Sequence, residues 1–161
     1  MAAKETLTVT TPAKNPEMPR LGDFLCFAVY SANLAYGRAY KPILDALGLT
    51  YTQWITIVAL WEHDGQTVGS LGDKLFLESN TLTPILKKLE ALGYVERRRD
   101  PRDERQVIVS LTAAGRALRE QGAQRNLVQA TGLDAGQFAA ARRTMNEVRD
   151  NLLRHTQQGG D

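Results

Sequence analysis

The sequence changes its period between Ser79 and Thr112, and that change constrains the fold more than any other feature. "SNTLTPILKKLEALG" (79–93) puts Leu82, Ile85, Leu86, Leu89 and Leu92 on one helical face. "YVERRR" and "QVIVSLT", which follow, alternate apolar and polar residues as two strands do, with "DPRDE" as a polar tip between them. The spacing predicts a helix capped by Ser79 and ended by Gly93, running straight into a β-hairpin. Pro84 must then fall in about the first turn, because deeper in a helix a proline breaks the hydrogen-bond ladder.

The rest of the chain reads as helix. Leu21, Phe24, Leu25, Ala28 and Val29 form an apolar stripe in a segment that extends to about Leu47 and passes Pro42, with Gly48 as a breaker. "TQWITIVALWEH" spaces Trp54, Ile57, Val58 and Trp61 as core positions. "TVGSLGDKL" is a short helix with Thr67 as N-cap and Val68, Leu71 and Leu75 turned inward. Two further helices are expected from Thr112 to Gly132 and from Asp134 towards the end. A short helix pair followed by a charged two-stranded ribbon is a winged helix-turn-helix. The fold class is therefore mainly α with a small β-hairpin wing (α+β). The long helices at either end carry apolar faces that so small a domain cannot cover, and a second copy of the chain is the simplest cover.

Composition narrows the function classes. A chain of 161 residues is one domain's length and can bury a core without disulfides or metal. No apolar run approaches the ~20 residues of a membrane span, and residues 1–19, rich in Thr, Pro and Lys, have no signal-peptide core and read as a flexible arm. The tail 158–161 is expected to fray. The single cysteine allows no intrachain disulfide and no zinc site built on several thiolates. The expectation is a cytoplasmic protein with no metal, cofactor or membrane association. His63 and His155 lack acidic partners at useful spacing, and no catalytic constellation is visible, so an enzyme is not expected.

Net charge is only +2, but "RRRDPRDER" (97–105) holds five arginines in nine positions. Alone, such a mixed cluster reads as a solvated turn. It lies beside a helix whose start presents Ser79, Asn80, Thr81 and Thr83, with Lys87 and Lys88 a turn later. Those side chains can reach base edges or phosphates, while an arginine on a narrow ribbon can enter the minor groove. Arg97, Arg99, Asp103 and Arg105 are the wing candidates.

The stretch "SNTLTPILKKLEALGYVERRRDPRDERQVIVSLTAAG" resembles the core signature of the MarR family of winged-helix regulators, most recognisably in the DxR of Asp103 and Arg105. The resemblance covers about residues 20 to 155. It implies that Arg105 reaches the minor groove, that Asp103 orients it, and that the protein is a homodimeric repressor. It further implies a domain over 20–157, with dimerisation helices at 20–50 and 112–157 around a winged helix-turn-helix at 51–111, its wing at 94–111. A two-fold dimer would read an inverted repeat of double-stranded DNA with half-sites about one helical turn, ~10 bp, apart.

Within that family the chain is similar to the organic hydroperoxide resistance regulators, the OhrR type, through Cys26 in "LCFAVY", Tyr40 in "AYKPIL" and Tyr51 in "LTYTQW". Tyr30 lies one turn beyond Cys26 and can approach it. Tyr40 lies fourteen residues on, about 21 Å along an unbroken helix, so a Tyr40 that touches a Cys26 must touch the partner subunit's. Agreeing with this, the resemblance implies a sensing site built between subunits. Among Leu25, Phe27 and Val29 a thiol is expected to be buried and inert, unless phenol donors and the helix N-terminus favour the thiolate. Such a thiolate would attack an organic hydroperoxide and give a sulfenic acid and an alcohol. With no second cysteine, resolution falls to an external small thiol, a backbone nitrogen or overoxidation. Two alternatives compete: a MarR-type repressor controlled by a small aromatic ligand, and a one-cysteine thiol peroxidase, in which the wing would have no purpose. A lone cysteine or tyrosine on an apolar helix face is ordinarily structural, and only the joint pattern argues otherwise.

Overall fold

In the computed structural model, residues 18–122 and 127–158 are described. The expected arm lies almost wholly outside them, as do residues 159–161 of the expected tail. The chain divides into two compact units, residues 1–36 and 37–161. Six α-helices are described: α1 (Leu25–Leu47), α2 (Tyr51–Glu62), α3 (Val68–Leu75), α4 (Ser79–Ala91), α5 (Ala113–Gly122) and α6 (Ala135–Gln158). The strands are β1 (Gln66–Thr67), β2 (Val95–Asp100) and β3 (Asp103–Leu111), in the antiparallel order β1-β3-β2. The helix expected to reach Gly132 stops earlier, as α5 with a separate 3-10 turn at Gln129–Thr131; residues 123–126 between them are outside the described set.

In the first unit a 3-10 turn at Leu21–Asp23, held by the Arg20 N–H on the Asp23 carboxylate at 3.0 Å, leads into α1. Its apolar residues are largely exposed: Leu25 is 55 % exposed, Val29 43 % and Tyr30 57 %.

The second unit contains the core. Ile57 and Leu60 of α2, Leu71 of α3, Leu82, Leu86 and Leu89 of α4, and Val109 of β3 are all completely buried. Thr50 caps α2 reciprocally, accepting from the Gln53 N–H while the Gln53 side chain accepts from its own N–H. Thr67 caps α3 as expected, accepting the Ser70 N–H at 3.1 Å. Between α3 and α4 the chain turns at Phe76, which has φ 56° and carries the Arg149 guanidinium 4.7 Å above its ring.

Three local expectations are corrected. Ser79 is not a cap but the first residue of α4; Glu78 holds the cap position without a side-chain bond. Pro84 consequently sits in the second turn, where the Asn80 carbonyl loses its usual donor; α4 nevertheless continues, its buried leucines outweighing that single lost bond. The wing tip is tighter than "DPRDE" suggested. Only Pro101 and Arg102 lie between the strands, because the Asp100 carboxylate accepts the Arg102 N–H at 2.8 Å and closes the turn.

The wing base is anchored by Asp64, which accepts the Leu111 N–H at 2.8 Å, the Gly65 N–H at 2.9 Å and the Arg116 guanidinium at 2.6 Å. Partial burial pushes its carboxyl up, but the bonds from Leu111, Arg116 and Gly65 outweigh it and hold the group below its ordinary 3.8. A carboxyl held low in the folded state adds stability above its unfolded value and loses it as pH falls through the folded value. The unfolding temperature of the wild type is therefore expected to drop more steeply than that of Asp64→Asn as pH falls from 5 to below 3.8. Parallel acid profiles for the two proteins would remove Asp64 from this role.

Candidate nucleic-acid interface and thiol site

The start of α4 and the wing converge. Ser79, Asn80 and Thr81 are exposed, Thr83 is half-buried, and Lys87 and Lys88 are exposed one turn later. The Thr83 hydroxyl donates to the Ser79 carbonyl at 2.7 Å, which leaves its lone pairs for an incoming donor. A cleft of about 370 Å³ runs between this helix start and the wing and is lined by Thr67, Ser79, Thr83, Arg105 and Gln106 among others. Thr67 and Gln106 were not among the DNA-facing candidates read from the sequence. Their signal there was only positional, an N-cap and the first residue of an alternating run.

The wing arginines divide. Arg105 is exposed on β3. The Asp103 carboxylate accepts the Arg105 backbone N–H at 3.1 Å and a Gln106 side-chain N–H at 3.2 Å, so Asp103 shapes the main chain beneath Arg105 rather than gripping its guanidinium. Arg99 is exposed, with one long bond of 3.4 Å to the Glu104 carbonyl. Arg97 has an acceptor within its own chain. Its Nε and Nη2 donate to one Glu90 carboxylate oxygen at 3.0 and 2.6 Å, and its side chain is only 24 % exposed. The partly exposed guanidinium is engaged by its own chain.

The thiol elements separate into the two units. Cys26 is the second residue of α1, in the positive first turn of the helix, and its neighbour Tyr30 packs on Phe27 with ring centroids 6.3 Å apart. The expected burial of the thiol is overturned for the single chain: Cys26 is exposed, because Leu25 and Val29 beside it are themselves uncovered. In the second unit Tyr40 and Tyr51 meet, their ring centroids 5.3 Å apart. The turn after α1 does this. Gly48 takes φ 66°, and the N–H groups of Gly48 and Leu49 close back onto the carbonyls of Asp45 and Leu44, so α2 begins at Tyr51 against the end of α1.

A buried three-helix core, an exposed helix start and a charged antiparallel wing define a winged-helix, DNA-binding transcriptional regulator. Residues 38–121 match the family described as Transcriptional regulator SarA/Rot. The chain is 39 % identical over 134 residues to the organic hydroperoxide resistance transcriptional regulator of Bacillus subtilis, covering 80 % of this chain and 91 % of that protein. It is 47 % identical over 118 residues to the HTH-type transcriptional regulator TtmR of Methylorubrum extorquens, covering 73 % of this chain but only 60 % of TtmR. Among solved structures it is similar to reduced AbfR of Staphylococcus epidermidis bound to DNA, with a TM-score of 0.72 and 32 % identity over 84 % of this chain and 94 % of that one. The chain belongs to the SarA/Rot-type MarR family of winged-helix regulators, whose members are DNA-binding transcription regulators and not enzymes. Among the described residues no single helix is long and apolar enough to cross a membrane.

Proposed function

We propose that the protein is a homodimeric, cytoplasmic repressor that senses organic hydroperoxides through Cys26 and then releases an inverted-repeat operator. The observation that carries this reading is the contact between Tyr40 and Tyr51, two tyrosines eleven positions apart whose rings are brought to 5.3 Å. Their contact places two phenols side by side in a unit that holds no cysteine. The exposed Cys26, on a helix whose apolar residues are also exposed, is the complementary half. In the dimer, Tyr40 and Tyr51 of one subunit face Cys26 of the other, and the apolar lining absent from the single chain comes from the partner. That supply fits the uncovered Met145, Leu152 and Leu153 of α6, a helix with no buried residue. The similarity to the Bacillus regulator of organic hydroperoxide resistance supports the same signal.

The chemistry follows from the thiolate. Its sulfur attacks the terminal peroxide oxygen, the O–O bond breaks, Cys26 becomes the sulfenic acid, and the departing alkoxide takes a proton and leaves as the alcohol. AbfR has been described on DNA both reduced and overoxidised, and also in a disulfide form. Here one cysteine per chain leaves an external small thiol, a backbone nitrogen or overoxidation as the routes onward. Ser79, Asn80, Thr81, Thr83 and Lys87 meet the major groove, and Arg105, with Arg99 and Asp103, forms the minor-groove wing. The domain limits follow the same reading: dimerisation helices at 20–50 and 112–157 enclose the winged segment at 51–111.

A mobility shift on the DNA upstream of the gene, with and without cumene hydroperoxide and followed by intact mass, tests the proposal. The expected result is release accompanied by gain of oxygen at Cys26. Cys26→Ser should bind the same DNA with wild-type affinity and lose the response altogether. Release of Cys26→Ser by the peroxide would instead favour control through a non-covalent aromatic ligand.

A further inference from the structure

Glu90 occupies an unfavourable place for a carboxylate. It lies in the last turn of α4, where the helix carbonyls already carry partial negative charge. Only Leu92, Gly93 and Tyr94 lie between α4 and β2, and Gly93 turns the chain at φ 78°. Arg97 follows two positions after the buried Val95 and pairs across the ladder with the buried Val109, so it stands on the sheet face that meets the core. From there it donates twice to Glu90, at 3.0 and 2.6 Å. An ion pair thus bridges the outgoing end of α4 and the root of the wing, spanning the tight turn that joins them.

We propose that Arg97 is a positioning residue for DNA recognition: through Glu90 it fixes the angle between α4 and the wing, so that the helix start and Arg105 reach adjacent grooves together. The inference rests on the DNA-facing assignment of α4 and Arg105 above, and adds a part that touches no nucleic acid. The Arg97 hydrogen bond, with its charge, holds the Glu90 carboxyl below its ordinary value despite opposing desolvation, so the pair is ionised where the protein works. An ordinary exposed ion pair contributes little to stability. This one acts on geometry, because a pivot at Gly93 is magnified along the six residues of β2 to the tip.

Equilibrium binding to the upstream duplex and to a scrambled duplex, measured across a salt series, tests it. Arg97→Ala and Glu90→Gln should each weaken specific binding about tenfold. The slope of log affinity against log salt should stay that of the wild type, since no phosphate contact is lost. The double variant should be no worse than either single one, and the exchanged pair Arg97→Glu with Glu90→Arg should recover most of the loss. Unfolding midpoints are followed in parallel, and Glu90→Gln, the mildest change, carries the test if Arg97→Ala proves poorly folded. A slope lower by about 0.9 per subunit, or about 1.8 for the dimer, in Arg97→Ala would make Arg97 a phosphate contact and overturn the proposal. So would wild-type affinity in Glu90→Gln, or additive losses in the double variant. Failure of the wild type to prefer the upstream duplex would instead overturn the DNA-facing assignment beneath it, and that outcome appears before any variant is made.

Discussion

Arg105→Ala is expected to weaken specific DNA binding by about 1–3 kcal/mol for each wing, roughly five- to hundredfold per wing and the product of the two where both wings of a dimer engage. The structural reason is the contrast among the wing arginines. Arg97 is spent on Glu90, whereas Arg105 stands exposed at the cleft beside Ser79 and Thr83. Its backbone is pinned by the Asp103 carboxylate at 3.1 Å, so little ordering remains to be done when the side chain enters a groove. The matched control is Arg142→Ala, an exposed arginine on α6, which should bind as the wild type does. Titration of both variants on the same duplex at fixed salt decides the matter. Equal losses would mean that the DNA face has been misplaced.

Gly115→Ala should be the most damaging glycine-to-alanine change among the described residues. A Cβ there would lie 2.1 Å from the Tyr94 carbonyl oxygen, 3.1 Å from its carbonyl carbon and 3.0 Å from a Leu111 methyl. The obstructing atoms are backbone, and they are held. The Tyr94 carbonyl accepts the Thr112 N–H at 3.1 Å, the Thr112 hydroxyl donates to the Gly93 carbonyl at 2.6 Å, and Trp61 donates to the Gly115 carbonyl at 3.0 Å. Ordinary overpacking costs about 1–3 kcal/mol, and a rigid backbone obstacle belongs at or above the top of that range. The expected result is a fall in unfolding temperature on the order of 10 °C, read by circular dichroism. Trp61 fluorescence should shift with it, since α5 must move away from α2 and the wing root. An unfolding temperature within a degree or two of the wild type would show that α5 can slide.

Much of this fold was legible in local patterns. The change of period at Gly93, the cap at Thr67 and the apolar faces of α2 and α4 were all readable, because each depends on residues within a few positions of one another. The two-residue strand β1 was not. Gln66 and Thr67 have no period to show, and they become a strand only because Val109 and Ile108 lie opposite. Ser79 misled because a serine before an apolar run looks like a cap, whereas Glu78 adopts the extended cap backbone without a side-chain bond.

The site was legible in a different way. The sequence by itself determined which chemistry is available: one thiol, tyrosines at telling intervals, hydroxyls and an amide at a helix start, and arginines on a ribbon. What only the tertiary structure decided is which of these groups are free and which are engaged. It paired Arg97 with Glu90, and it joined Tyr40 to Tyr51 across the Gly48 turn. It also left Cys26 exposed where local composition had suggested burial. The physical reason is common to all three. Residue type and spacing fix a side chain's chemistry and its direction on an element, but its partner is set by where elements distant in sequence come to rest. Engagement is a property of packing, and packing is not written in any one segment.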